Sequence, residues 1–197
     1  MAVLVEHDKR KHEILEKALE LFVEEGYEDV TFQKIADRCG ITRTTLYIYF
    51  KNKREIFLWS IKQLISGLEV DLVSLVERED ISTKSCLLEM FNTIIDHCQQ
   101  NQQLFRILLS YLLQLQKSGI DVNERVMRRV IRMQHLLNTV IIRGQKRGEI
   151  QRGTVKEINE LLYSLVESAI FKLSVLGQSN IDSSRAVIAF AINSICS

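Results

Sequence analysis

The sequence predicts an all-α fold of about nine helices, and three observations carry that expectation. Proline is absent from all 197 residues, which suits long helices joined by short polar or glycine turns better than a strand-rich chain. Apolar residues recur at three- and four-residue intervals along most of the length, and no stretch makes a convincing strand of period two. Hydrophobic residues make up 46% and charged residues 26%, a balance that supports a buried core and argues against extended disorder.

Helix by helix, the spacing gives the following reading. From Lys9 to Glu25, Ile14, Ala18, Leu21 and Phe22 form one face, and Gly26 stands where a C-cap glycine belongs. Thr31 is an N-cap candidate for a two-turn helix with Phe32, Ile35, Ala36 and Cys39 at i, i+3, i+4 and i+7, stopped by Gly40. Gly40 and Ile41 make a tight turn, and Thr42 can cap a third helix whose residues to Tyr47 are polar except Leu46. That third helix is therefore expected to be mostly exposed.

A stripe of Phe57, Ile61, Leu64, Leu68 and Leu72 then runs to about Glu77, a helix of roughly 37 Å at 1.5 Å per residue. Helices are expected from about Ser82 to Cys98 and from about Gln102 to Lys117, the latter ending at Gly119. Asp121 and Glu124 suggest a capping box for a long helix carrying Val122, Val126, Val130, Met133, Leu137 and Ile141. Thr154 and Glu157 suggest a second box, followed by a stripe from Ile158 to Leu173 too wide for a helix packed on one side only. Asp182 is expected to cap the last helix.

The net charge of +1 gives no global nucleic-acid signal, so any basic surface has to be local. Between Thr31 and Arg54 stand Lys34, Arg38, Arg43, Lys51, Lys53 and Arg54, while the preceding stretch is rich in acid: Glu13, Glu16, Glu20, Glu24, Glu25, Glu28 and Asp29. Charge is thus sorted along the chain. A short helix, tight turn and polar short helix carrying positive charge suits phosphate and the shape of a major groove.

Other chemistries find little support. The apolar start Ala2-Val3-Leu4-Val5 runs straight into charge, far short of a signal-peptide core, and no later run approaches a membrane span, so a cytoplasmic protein is expected. Cys39, Cys86, Cys98 and Cys196 lack CxxC spacing and read as reduced thiols. No metal-ligand array, P-loop, GxGxxG or paired-carboxylate motif is present, and no metal, cofactor or catalytic residue is expected. The neighbours His97 and Cys98 point about 100° apart on a helix, a poor arrangement for a base and its nucleophile. Arg125, Arg128, Arg129 and Arg132 read as a solvated face rather than a membrane-binding one.

The segment Thr31-Phe-Gln-Lys-Ile-Ala-Asp-Arg-Cys-Gly40-Ile-Thr-Arg-Thr-Thr-Leu-Tyr47-Ile-Tyr-Phe50-Lys-Asn-Lys-Arg-Glu55 resembles the DNA-binding signature of the TetR family. The resemblance spans about Lys9 to Leu58 and includes Gly26-Tyr27, Ile35-Ala36, Gly40-Ile41, Leu46-Tyr47 and Tyr49-Phe50. It implies a three-helix DNA-binding module in which Thr42 to Tyr47 form the recognition helix and Thr31 and Lys53 grip phosphates. The side-chain chemistry agrees: Arg43 suits guanine O6 and N7, Thr44 or Thr45 suits a thymine methyl, and threonine hydroxyls suit phosphate oxygens. Tyr47 and Tyr49 either add hydroxyl contacts or pack beneath the helix. The sequence departs from the family pattern at Thr44, where a smaller residue is common, and at Ile48, where a polar or aromatic side chain is frequent. Base preference therefore does not carry over.

Residues 8–55 are expected to form this domain and residues 56–197 a larger ligand-binding and dimerisation domain. The resemblance implies a homodimer built on the last two long helices, with Leu161, Leu165, Ser168, Ala169, Ala186, Ala189 and Phe190 as candidate interface residues and a palindromic double-stranded operator as partner. It also implies a small-molecule effector of unknown identity. Trp59, Phe91, Phe105 and Tyr111 are candidates to line a mainly apolar pocket, although aromatics at helical spacing also serve as core. Two other readings stay open: an architectural or nucleoid-associated DNA-binding dimer without a ligand, and a helical membrane-surface protein.

Overall fold

A computed structural model describes the backbone of residues 2–119, 123–178 and 180–196, with side chains described over 6–119, 131–178 and 180–196. Among these residues there are nine α-helices and no strand beyond one isolated bridge between Ile150 and Cys196. They are α1 (Ala2–Asp29), α2 (Phe32–Cys39), α3 (Arg43–Tyr49), α4 (Lys53–Glu77), α5 (Thr83–Gln100), α6 (Gln102–Lys117), α7 (Asn123–Lys146), α8 (Val155–Ser174) and α9 (Asp182–Ile195). The chain divides into two compact units at Gly67 and Leu68, a point that falls inside α4.

The expected turn chemistry recurs at several boundaries. Gly26 breaks the helical path of α1 with φ 84°, a backbone conformation that side chains with a Cβ adopt only under strain. Helix α1 begins at Ala2 rather than Lys9, because the polar stretch Glu6 to Lys11 extends the helix without needing an apolar face. Thr154 and Glu157 form the reciprocal capping box at α8. The last helix differs from its expectation: Ile181 occupies the N-cap position and Asp182 lies inside the first turn, its amide bonded to the Asn180 side chain at 3.0 Å. There an acid still meets the positive end of the helix dipole. The box expected at Asp121 and Glu124, and the apolar positions Val122, Val126 and Val130, lie outside the residues whose side chains are described, as do Arg125, Arg128 and Arg129.

In the first unit, α1 supplies Ile14, Leu15, Ala18, Leu21 and Phe22 to a core completed by Ile35, Ala36, Leu46, Phe50, Ile56 and Phe57. Phe22 meets Phe57 edge-on at 4.9 Å between ring centres, and Tyr27 lies 4.8 Å from Phe57. Ser60 is buried too, and its hydroxyl donates to the Leu15 carbonyl at 3.0 Å.

In the second unit the breadth of the α8 stripe has its expected counterpart, since α8 packs against α5, α6, α7 and α9. Leu87, Met90, Ile95, Val140, Ile141, Leu162, Leu173 and Ile192 lie at the centre of this core. Arginines at and just beyond the end of α7 hold carbonyls in the last turn of α4 and in the α4–α5 connection: Arg143 donates to Val76 at 2.7 Å, and Arg147 to Glu79 at 3.2 Å and Ile81 at 3.4 Å. Between those arginines sits Gly144. A Cβ there would stand 2.6 Å from Thr83 Cγ2 and 2.9 Å from Ile150 Cδ1, so the absence of a side chain lets the start of α5 approach α7.

Gly144→Ala is expected to lower stability by about 1–3 kcal/mol through overpacking, despite the gain of about 1 kcal/mol in helix propensity. A thermal melt checks this, and a rise in Tm would contradict the close approach.

Candidate nucleic-acid interface

Helix α3 is only seven residues long and holds its place by one side chain and two ends. Leu46 is fully buried, and the other residues of the helix are exposed or half-buried. Gly40, in the left-handed conformation at φ 65°, closes α2 by donating to Asp37, while Ile41 donates to Ala36, each at 3.0 Å. The chain then turns directly into Thr42, whose hydroxyl accepts from the Thr45 amide at 3.1 Å. At the far end Phe50 swings to an extended φ of −144° and buries its ring. Turn and caps together fix the angle at which α3 leaves α2.

The candidate DNA-contact residues fall into two groups. Thr31 and Thr42 are both N-caps: Thr31 accepts from the Lys34 amide at 3.2 Å. Each hydroxyl oxygen is used as an acceptor from the backbone, and a hydroxyl that accepts keeps its own hydrogen to donate. Thr42 and Thr45 also share a hydrogen bond of 2.8 Å between their hydroxyls. On the outer surface stand Arg43, Thr44 and Tyr47. The Arg43 guanidinium donates to the Tyr47 hydroxyl at 3.2 Å, and the Tyr47 ring is 4.6 Å from Phe32 of α2. Tyr47 thus joins the two alternatives left open by the sequence, an anchored ring with an exposed edge. Tyr49 is half-buried, its ring stacked 4.7 Å from His7. The sequence reading missed His7 because it started α1 two residues later.

Positive charge is distributed differently from its order along the chain. Lys34 pairs with Glu25 at 2.6 Å, and Arg38 forms a two-pronged pair with Glu24 whose first contact is 3.0 Å. The Arg38 hydrogen bond holds the Glu24 carboxyl below its ordinary pKa. Acids of α1 therefore neutralise the bases of α2, and the separation of charge seen in the sequence disappears where the two helices pack. Arg43, Lys51 and Arg54 are exposed and have no ion pair among the described residues. Lys53 has an internal role: its ammonium donates to the carbonyls of Tyr27 at 2.7 Å and Glu28 at 3.2 Å, and lies 4.5 Å over the Tyr27 ring. Two of its three donors close the end of α1, and one remains for a phosphate.

Residues 14–58 match the family model "Bacterial regulatory proteins, tetR family". The chain is also 25% identical to the fatty acid metabolism regulator protein of Bacillus subtilis over 80% of each chain. Residues 14–58 thus resemble the DNA-binding segment of TetR-family regulators. The chain is further 30% identical to the HTH-type transcriptional activator FasR of Mycolicibacterium smegmatis, over 49% of this chain and 45% of that one. Its fold is shared with a TetR transcription regulator from Haloarcula marismortui, at a TM-score of 0.84 and 18% identity, covering 96% of this chain and all of the other. Members of the family bind DNA and typically form dimers. These likenesses are consistent with a DNA-binding transcription regulator, and the exposed face of α3 is the candidate reading surface.

Outside the first unit, the candidate dimer residues separate by exposure. Leu161, Ser168, Ala186 and Phe190 are exposed, Leu165 and Ala189 are half-buried, and Ala169 is only 1% exposed because it packs into the core of its own subunit. The exposed stripe of α8 continues through Phe171 and Val175, which the sequence reading did not single out. A face spaced 161, 164, 168, 171 and 175 would have found them. Among the candidate pocket residues, Phe91, Phe105 and Tyr111 belong to the second unit, Phe91 buried and Phe105 packed against the same core. Trp59 belongs to the first unit, where the ammonium groups of Lys11 and Lys62 lie 4.5 and 4.3 Å from its ring. His97 faces Asp71 at 3.4 Å, while burial pushes the Cys98 thiol up to about 12, so the two neighbours do not act on one another. No helix among the described residues is long and apolar enough to cross a membrane.

Lys53→Ala is expected to weaken binding to every DNA sequence and reduce the salt slope of log K by about one unit, and also to lower Tm, since it uncaps α1. Salt titrations of binding alongside a melt separate the two effects; an unchanged salt slope would leave Lys53 with the structural role alone.

Proposed function

We propose that this regulator is a repressor that binds a palindromic operator as a homodimer and is released by a small, mainly apolar effector. The observation that carries the reading is α3: a short helix anchored by one buried leucine that turns Arg43, Thr44 and Tyr47 outward together. In this reading Arg43 reads a guanine edge, Thr44 and Thr45 approach thymine methyls, and Thr31, Thr42, Tyr47, Tyr49 and Lys53 hold phosphates. Residues 8–55 form the DNA-binding domain, and residues 56–197 bind the effector and dimerise.

The dimer forms through the exposed face of α8 and α9, where Leu161, Phe171, Val175, Val187 and Phe190 expose large apolar side chains. A two-fold axis there places two α3 helices on half-sites separated by a multiple of one DNA turn, roughly 34 Å. Release is a population shift in which the effector favours a spacing of the reading heads that does not fit the operator. Helix α4 begins in the first unit and ends in the second, so it is the natural lever. The name of the Bacillus subtilis relative supports fatty-acyl compounds as the first effectors to test, with Phe91, Phe105 and Tyr111 as candidate contacts in the second unit. Trp59 lies in the first unit and is a separate candidate.

Selection from random DNA should enrich a two-fold symmetric sequence, and long-chain acyl compounds should reduce its occupancy while raising Tm. Enrichment of nothing over background would sink the regulator reading. Arg43→Ala should cost about 1–3 kcal/mol and relax preference at one base pair per half-site; unchanged selectivity would remove Arg43 from base reading. Phe190→Asp should yield monomers in sedimentation and lose tight operator binding, and a stable dimer of that variant would place the interface elsewhere.

A further inference from the structure

We infer that Ile48 is a sequence-reading residue of α3, recognising the C5 methyl of a thymine in each half-site. The inference rests on α3 being the recognition helix and assigns a specificity role to a side chain outside the polar set. Among the described residues of the first unit, Ile48 is the most exposed large apolar side chain, at 69%. A lone exposed isoleucine is ordinary on a protein surface. Its place on the helix is what separates this one from the background.

At 3.6 residues per turn, Ile48 stands about 200° around the helix from Leu46, and Thr44 the same angle in the other sense. Leu46 points fully into the core, so Thr44 and Ile48 flank the outermost line of α3. Arg43 sits about 60° from Leu46 on that wheel, and its guanidinium is drawn sideways to Tyr47. The part of α3 that would enter a groove first is thus a small apolar strip, the γ-methyl of Thr44 beside the branched chain of Ile48, which are neighbours at i and i+4. β-Branched residues gain nothing in helix propensity at such a position, and Ile48 has no hydrogen-bonding group with which to hold a phosphate. In the major groove the one apolar feature on a base edge is the thymine methyl. A contact with it buries two apolar groups that water would otherwise surround.

The test uses the full chain and the operator enriched by wild-type protein. Each thymine is replaced in turn by uracil, which removes the methyl and keeps base pairing. Binding constants are measured for wild type and for Ile48→Ala, whose Tm should be unchanged because the side chain is exposed. At one position per half-site, uracil should weaken wild-type binding about four-fold, the worth of one buried methyl, and should leave Ile48→Ala binding unaffected. Equal losses in both proteins at every thymine would overturn the inference, as would a uniform weakening of Ile48→Ala on all sequences, which is the signature of a sugar or backbone contact. Either result leaves the regulator reading intact. Failure of wild type to enrich any sequence overturns both.

Discussion

The burial of Leu46 beneath α3 is the constraint on which the reading surface depends. A helix this short is unstable by itself, since isolated helices of fewer than about 12–15 residues are marginal in water. Its existence is owed to tertiary structure: one leucine in the core, a threonine cap at the start and a buried phenylalanine at the end. Because so few groups anchor it, nearly every other position is free to vary without loss of fold. This is how a small scaffold can separate the residues that hold a helix from those that read with it.

The same economy appears in how charge is used. A carboxylate and a guanidinium that pack across α1 and α2 spend their charge on each other, and such exposed pairs add little stability. What they achieve is electrostatic: Glu24 and Glu25 are neutralised by Arg38 and Lys34, which lowers the negative charge α1 presents beside the cations of α3 and the start of α4. Lys53 is placed at the meeting point of these two demands, closing the carbonyl end of α1 with part of its ammonium and presenting the rest to solvent.

Much of the fold was legible because helix periodicity, glycine stops and threonine caps are local signals. Gly26, Gly40, Thr42 and Thr154 all act where their chemistry says they should. The start of α1 was harder to place, because a polar helical segment has no periodic face to announce it. Contacts between distant residues were not legible either. No local pattern says that Glu24 will meet Arg38, or that His7 will stack on Tyr49. Of the residues named for the interface between subunits, Ala169 belongs to the subunit's own core. A wide apolar stripe says that a helix packs on several sides without saying which side meets which partner.

The arginines at the end of α7 bear on how motion passes through the second unit. Arg143 takes up a carbonyl in the last turn of α4 and Arg147 two carbonyls of the short link that follows, and Gly144 lets α5 lie close beside them. A helix end and its connection tied at Val76, Glu79 and Ile81 have little slack. A shift of α7 by even the width of a side chain is handed on to the far end of α4 instead of being absorbed by the loop, which makes that corner a rigid joint rather than a hinge.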